Sequence, residues 1–164
     1  MYKRQVYGGP ARDPRVVATE IRAMRAKMEK ELVPDGGHGQ DIKVGRGGLV
    51  DVEFVAQFLQ LVYGGTRREL RTPRTLAALE RAAAAGLLAE PDRATLTASY
   101  RFLRRLEHKM RIALDRPIHE LPADPIELDK LARRLGVQSA AALVRQTRAL
   151  SEEVRACYDR ILSP

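Results

Sequence analysis

Residues 49–63 read Leu-Val-Asp-Val-Glu-Phe-Val-Ala-Gln-Phe-Leu-Gln-Leu-Val-Tyr. Val50, Phe54, Phe58 and Leu61 recur at helical spacing and make one apolar row. Val52, Val55, Leu59 and Val62 make a second. Only Glu53, Gln57 and Gln60 form a polar strip, and it is narrow. A helix that is apolar around most of its circumference is buried at the centre of its fold. The rest of the chain must therefore wrap around this one.

The wrapping is helical as well. Val17, Ile21, Met24, Met28 and Leu32 form an apolar stripe on a first helix, opened by Asp13-Pro14 and stopped by Pro34. Thr72-Pro73 opens a third helix, with Leu76, Leu79 and Ala83 inward and Gly86 closing it. Pro91-Asp92 opens a long fourth that runs to about Asp115. On it Leu96, Tyr100, Leu103, Glu107, Met110 and Leu114 follow a heptad spacing. A loop from Pro117 to Pro125 leads to a short helix ended by Gly136. Ser139 caps the last helix, whose stripe is Leu143, Leu150, Val154, Tyr158 and Ile161. The expected fold class is all-α: one domain over residues 1–164, a single helical bundle of about six helices with a Gly-rich loop between the first and second.

Composition narrows the function classes. The 164 residues carry 29 Lys+Arg against 21 Asp+Glu, a formal charge of +8, and 45% are hydrophobic, which excludes wholesale disorder. A lone Cys157 excludes an internal disulfide framework and any Cys-rich zinc module. No apolar run reaches the length of a membrane span, and Met1 to Tyr7 lack a signal peptide's apolar stretch. A cytoplasmic protein with no membrane association is expected.

Candidate chemistry concentrates in the glycine loop. Residues 36–48 hold six of the twelve glycines: Gly36, Gly37, Gly39, Gly45, Gly47 and Gly48. Lys43-Val44-Gly45-Arg46-Gly47-Gly48 places two cations and three glycines before a helix N-terminus, where backbone N–H groups can approach a phosphate. It is not a Walker loop, because no Gly-Lys-Ser/Thr follows. Asp51 lies about 160° from the polar strip, in the first helical turn, where a carboxylate caps N–H groups and meets the positive helix end.

On the fourth helix, Glu107 stands where the heptad wants an apolar residue. An unpaired buried carboxylate costs several kcal/mol, so Glu107 reads as a structural ion pair with Arg71, Arg104 or Arg111, or as a carboxylate serving a site. Arg101, Arg104, Arg105, His108 and Arg111 read as a basic face on the opposite side, either solvated or turned to a phosphate or acidic partner. The three histidines, His38, His108 and His119, have no metal-ligand spacing. Asp41, Asp51 and Glu53 offer one magnesium ligand each, but no Asp-x-Asp pair accompanies them. No Gly-x-Ser-x-Gly or His-Glu-x-x-His occurs. The residues alone end at a basic helical domain with a phosphate-friendly loop.

The run Asp41-Ile42-Lys43-Val44-Gly45-Arg46-Gly47-Gly48-Leu49-Val50-Asp51-Val52-Glu53-Phe54-Val55-Ala56-Gln57 closely resembles the motif that follows the catalytic domain in glutamine synthetase adenylyltransferases. The likeness continues through Leu70-Arg71-Thr72, Tyr100 to His108, Leu121-Pro122 and Leu131 to Gly136, covering about residues 15–160. The resemblance implies a large enzyme with two units, one attaching AMP from ATP to a tyrosine of glutamine synthetase and one removing it by phosphorolysis. Each unit pairs an α/β nucleotidyltransferase domain with a helical domain like this one.

The family's metal carboxylates follow a Gly-Ser turn, and neither is present here, so the chain is expected to be an inactive helical fragment with no catalytic residue or metal ligand of its own. Mg2+ and ATP would belong to the full-length enzyme and not be required by this piece. The expected partners are the upstream nucleotidyltransferase domain, glutamine synthetase and the PII regulatory protein. Tyr158-Asp159-Arg160-Ile161-Leu162 resembles a natural C-terminus, which favours the adenylylating unit.

The Lys43–Gly48 loop and the start of the second helix are expected to close the missing domain's cleft and help bind ATP or glutamine synthetase, with Lys43, Gly45, Arg46, Gly47, Gly48, Asp51, Glu53 and Gln57 as the substrate- or nucleotide-facing residues. Lys43 and Arg46 would face phosphates or the acidic partner, while Asp51 and Glu53 orient the loop or a metal-bound water. PII uridylyltransferases share Lys-x-Gly-x-Gly-Gly-Leu-x-Asp and are the alternative, although Glu53-Phe54 and Gln57 fit the adenylyltransferases better. A stand-alone protein- or DNA-binding module is the remaining class; Leu131 to Arg148 imitates a helix-turn-helix, but the basic residues are spread over several helices.

Overall fold

A computed structural model describes residues 12–32, 40–114 and 119–163, apart from the side chains of Ala113 and Leu114. The expectations resting on Pro34, Gly36, Gly37, His38, Gly39, Asp115 and Pro117 lie outside the described residues. Among the described residues six α-helices form: α1 (Pro14–Leu32), α2 (Leu49–Tyr63), α3 (Thr75–Ala84), α4 (Glu90–Leu114), α5 (Pro125–Leu135) and α6 (Ala140–Ile161). A short 3-10 turn, Arg68–Leu70, precedes α3. No strand occurs among the described residues, only an isolated bridge between Asp41 and Glu120.

The apolar circumference of α2 has its expected consequence. This helix packs against α1, α3, α4 and α6 at once, and α5 closes the far side against α4 and α6. Val52, Phe54, Val55, Phe58 and Leu59 join Leu79, Leu96, Leu103, Leu106, Met110, Leu143 and Val154 in one continuous core. Burying a Val, Leu or Phe side chain contributes about 1.5–3 kcal/mol, so this cluster dominates the fold's stability. Among the described residues, no helix is long and apolar enough to cross a membrane.

The helix ends follow local chemistry. Asp124 accepts from the Ile126 N–H at 2.7 Å with Pro125 in the first turn of α5, and Gly136 ends that helix at φ +74°. Ser139 Oγ accepts from the Ala142 N–H at 3.1 Å to cap α6.

Two expectations fail. The third helix begins at Thr75, not at Thr72-Pro73. Gln60 Nε2 donates to the carbonyls of Leu70 and Thr72, both at 2.7 Å, and Thr72 Oγ1 accepts from the Arg74 N–H at 3.2 Å. These bonds hold residues 70–74 outside the helix.

The stripe of α1 also differs. Val17 and Ile21 are buried, but Met24 and Leu32 are about half exposed, and Arg25 takes the buried position in their place. Its reason is across the interface on α2.

Candidate functional site

The described part of the glycine loop, residues 40–48, is hydrogen-bonded throughout before it reaches α2. The Ile42 N–H donates to the His119 carbonyl at 2.8 Å, and the Leu121 N–H to the Gln40 carbonyl at 3.2 Å. Asp41 Oδ1 accepts from the N–H groups of Lys43, Val44 and Gly45 at 2.7, 2.8 and 3.3 Å. The Gly48, Leu49 and Val50 N–H groups donate to the Gly45, Ile42 and Lys43 carbonyls at 2.9, 3.0 and 3.1 Å. The Gly47 N–H donates to Asp51 Oδ2 at 2.7 Å.

The expected phosphate cradle is therefore corrected. The N–H groups of Lys43, Val44, Gly45, Gly47, Gly48, Leu49 and Val50 are already satisfied by protein acceptors. The loop's two cations are the groups that reach solvent: the Lys43 and Arg46 side chains are 40% and 67% exposed, Lys43 standing 3.8 Å from Glu107 and Arg46 3.4 Å from Asp159. The glycines serve close packing instead: Gly47 sits at φ +73°, where a Cβ would run into the Ser151 backbone of α6, and a Cβ on Gly45 would strike the Asp41 carbonyl.

One ion network behind the loop has a sealed centre and an exposed edge. The Asp51 side chain is 0% exposed and that of Arg25 is 1% exposed, and Arg25 Nε pairs with Asp51 Oδ1. Arg25 Nη2 also donates to the carbonyls of Val44 and Gly45 at 2.9 and 3.0 Å. From α6, Arg155 Nη1 lies 2.6 Å from Glu29 and 3.5 Å from Asp51, and its Nε is 3.1 Å from Asp159. Arg46 closes the ring against Asp159 at 3.4 Å. Burial works against the charge on Arg155, but Asp51, Glu29 and Asp159 outweigh it and raise its pKa above the ordinary arginine value.

Asp51 thus does what a first-turn carboxylate was expected to do, and both of its oxygens are committed to protein donors. Arg25 and Arg155 were not found by sequence reasoning. For Arg25 there was a signal, since it shares a face with Val17, Ile21 and Met28 at spacings of four, four and three.

A second network opens to solvent. Glu53 Oε1 accepts from Tyr100 Oη at 3.1 Å and from Arg104 Nη2 at 2.8 Å. Arg104 lies over the Tyr100 ring, 5.1 Å from its centroid, and Nη1 reaches Glu107 Oε2 at 2.8 Å. Lys43 Nζ and His119 Nδ1 stand 3.8 and 3.7 Å from Glu107 Oε1. Glu107 is buried and paired with Arg104, one of the three partners expected for it, and through Lys43 it also touches the loop.

Arg104 must then be removed from the basic face: it lies one turn from Glu107, not across the helix. Arg101 reaches Glu80 at 3.9 Å, whereas Arg105, His108 and Arg111 are exposed and have no ion-pair partner among the described residues. Glu53, Arg104 and Tyr100 floor a cleft of about 670 Å³, rimmed by the exposed Gln57 and by Arg74 and Glu80.

The described acidic residues do not assemble a metal centre. Among the described residues no three His, Cys, Asp or Glu side chains converge to hold an ion. Asp41, Asp51 and Glu53 point to separate partners, so the Mg2+ that the resemblance implies does not fit this chain's own carboxylates.

Residues 22–162 match the family model described as GlnD PII-uridylyltransferase. The chain belongs to that family. Among curated relatives of this GlnD-type domain, a Burkholderia mallei protein is 37% identical over 163 residues, which cover 99% of this chain and 17% of the relative. A Caulobacter vibrioides protein is 45% identical over 119 residues, covering 71% of this chain and 12% of the relative. A Ralstonia nicotianae protein is 36% identical over 99% of this chain and 18% of its own length. All three are named bifunctional glutamine synthetase adenylyltransferase/adenylyl-removing enzyme. The GlnD-type chain spans less than a fifth of the length of these relatives.

Proposed function

We propose that this chain is the helical domain that follows a nucleotidyltransferase domain in a bifunctional glutamine synthetase adenylyltransferase/adenylyl-removing enzyme. The carrying observation is the run from Lys43 to Gln57, a hydrogen-bonded loop leading into the first turns of the central helix, in a chain whose relatives bear that name along 99% of its length. The whole protein would move AMP from ATP to a tyrosine of glutamine synthetase and remove it by phosphorolysis. In-line transfer of this kind depends on positioning and charge neutralisation more than on covalent help.

The neighbouring domain supplies the metal carboxylates, Mg2+ and the bound ATP, and this piece alone is inactive. Here the loop and the first turns of α2 abut that domain's cleft. Lys43, whose side chain is 40% exposed, and Arg46 turn their charges to phosphates or to an acidic partner. Asp51 holds the loop, and Glu53 and Gln57 stand at the edge of the open cleft. The PII protein is a further partner, and the cytoplasm is the site of action.

The test uses the full-length protein with ATP labelled at the α-phosphate and purified glutamine synthetase. Label on glutamine synthetase, reduced in a Lys43→Ala variant, is the expected result. A second reading, the equivalent domain of a PII uridylyltransferase, is favoured by the description of the matching family. It predicts UMP transfer from UTP to PII instead. Transfer in neither assay, together with salt-sensitive binding to duplex DNA, would leave a nucleic-acid module as the reading.

A further inference from the structure

Arg25 is an expensive choice for the interior of α1. A buried ion pair is often no more stabilising than well-packed apolar residues of the same volume, because desolvation offsets the attraction. Stability alone therefore does not account for a guanidinium with a 1% exposed side chain in a row otherwise held by Val17, Ile21 and Met28. An apolar side chain cannot supply directed bonds. Arg25 makes three such bonds at once: Nε to Asp51, and Nη2 to the Val44 and Gly45 carbonyls. Asp51 in turn takes the Gly47 N–H at 2.7 Å. The guanidinium fork thus grips the loop backbone just before Arg46, and through Asp51 it is tied to the Gly47 N–H just after it, from a position twenty residues upstream of Gly45.

We propose that Arg25 is a positioning residue for the glycine loop: through Asp51, Val44 and Gly45 it sets the direction in which Lys43 and Arg46 project. The proposal rests on the adenylyltransferase reading above for its effect on turnover, but not for its effect on the loop. Arg25 touches no reacting group. Its influence passes through backbone carbonyls that only a forked donor can bridge together with the carboxylate. Lysine keeps the positive charge beside Asp51 and loses the fork.

The experiment takes the full-length protein as wild type, Arg25→Lys, and the paired change Arg25→Met with Asp51→Leu, which leaves no uncompensated buried charge. Two readouts are taken: hydrogen exchange of peptides spanning residues 41–48 against peptides from α5, and steady-state AMP transfer. In both variants, exchange is expected to rise about tenfold or more in the loop and to stay at the wild-type rate in α5. The kcat is expected to fall about ten- to a hundredfold with the KM for glutamine synthetase unchanged.

A rise spread equally over loop and α5 would mark Arg25 as merely structural and overturn the proposal. So would wild-type loop exchange and kcat in Arg25→Lys. If the paired variant does not fold, Arg25→Lys decides alone. A wild type that transfers no AMP would sink the functional reading, while the exchange data would still judge the positioning role.

Discussion

Asp51 and Glu53 stand two residues apart on α2 and carry the same charge, yet they lead different lives. Asp51 faces α1 and α6, is 0% exposed, and is locked between Arg25, Arg155 and the Gly47 N–H. Glu53, almost opposite on the helix, is 30% exposed and shares a half-open Arg104 with Tyr100 and Glu107 at the mouth of a cleft. Position on the helix, and so the surrounding dielectric, separates a carboxylate that builds the loop from one that remains open to a partner. The first is protected from salt and solvent; the second is screened and available.

Substitutions should expose that difference. Asp51→Asn leaves Arg25 buried beside a neutral amide, and a loss of about 3–5 kcal/mol is expected in chemical denaturation. A loss under about 1 kcal/mol would erase the distinction between the two carboxylates. Gly47→Ala probes the same sealed side through the backbone, combining left-handed strain with a collision against Ser151. It should cost about 2–4 kcal/mol. Gly86→Ala, at φ +71° with nothing within 4 Å of the new Cβ, should cost only about 1 kcal/mol.

Glu107→Gln lies between the two regimes, because its carboxylate is buried but its partner Arg104 is about half exposed. About 1–3 kcal/mol is expected, and, if the adenylyltransferase reading holds, the melting temperature should fall more than AMP transfer by the full-length protein. Glu53→Gln should change stability by no more than about 1 kcal/mol. If the cleft faces the reaction, the same variant should lower kcat/KM in the intact enzyme, and unchanged turnover would argue that Glu53 is only a surface charge.

The last effect is one of pH. Burial pushes the Tyr158 hydroxyl up to about 12 and the Cys157 thiol up to about 11, both on α6. Folding therefore holds both protons more tightly than the unfolded chain does. Their contribution is intact below pH 9 and lost as pH rises through about 11 and 12. Thermal melts at pH 10 should show a loss of about 1–2 kcal/mol, most of it from Cys157, and Cys157 should resist alkylation in the folded protein at pH 8.

Much of this was legible before any coordinates. The six helices, their order and the central place of α2 follow from apolar spacing, since a stripe repeats within one helix and needs no knowledge of its neighbours. Glycines at the turn before Leu49 and at 86 and 136 announced chain reversals for a similarly local reason. The late start of α3 was hidden because Gln60, on another element, claims the carbonyls that precede it. The stripe of α1 was misread because Met24 looked like the better core residue than Arg25.

By itself, then, the sequence determined the class of fold, the buried helix and the motif loop that carries the family likeness. Only the tertiary structure decided what each charge does. It turned the loop's N–H groups inward to Asp41 and Asp51, took Arg104 from the basic face to bridge Glu53 and Glu107, and brought Arg25 to Asp51. Periodicity is written between residues three and four apart. The partner of a buried charge lies on another helix, and whether that charge is structural or available depends on how much water remains around it once the helices have packed.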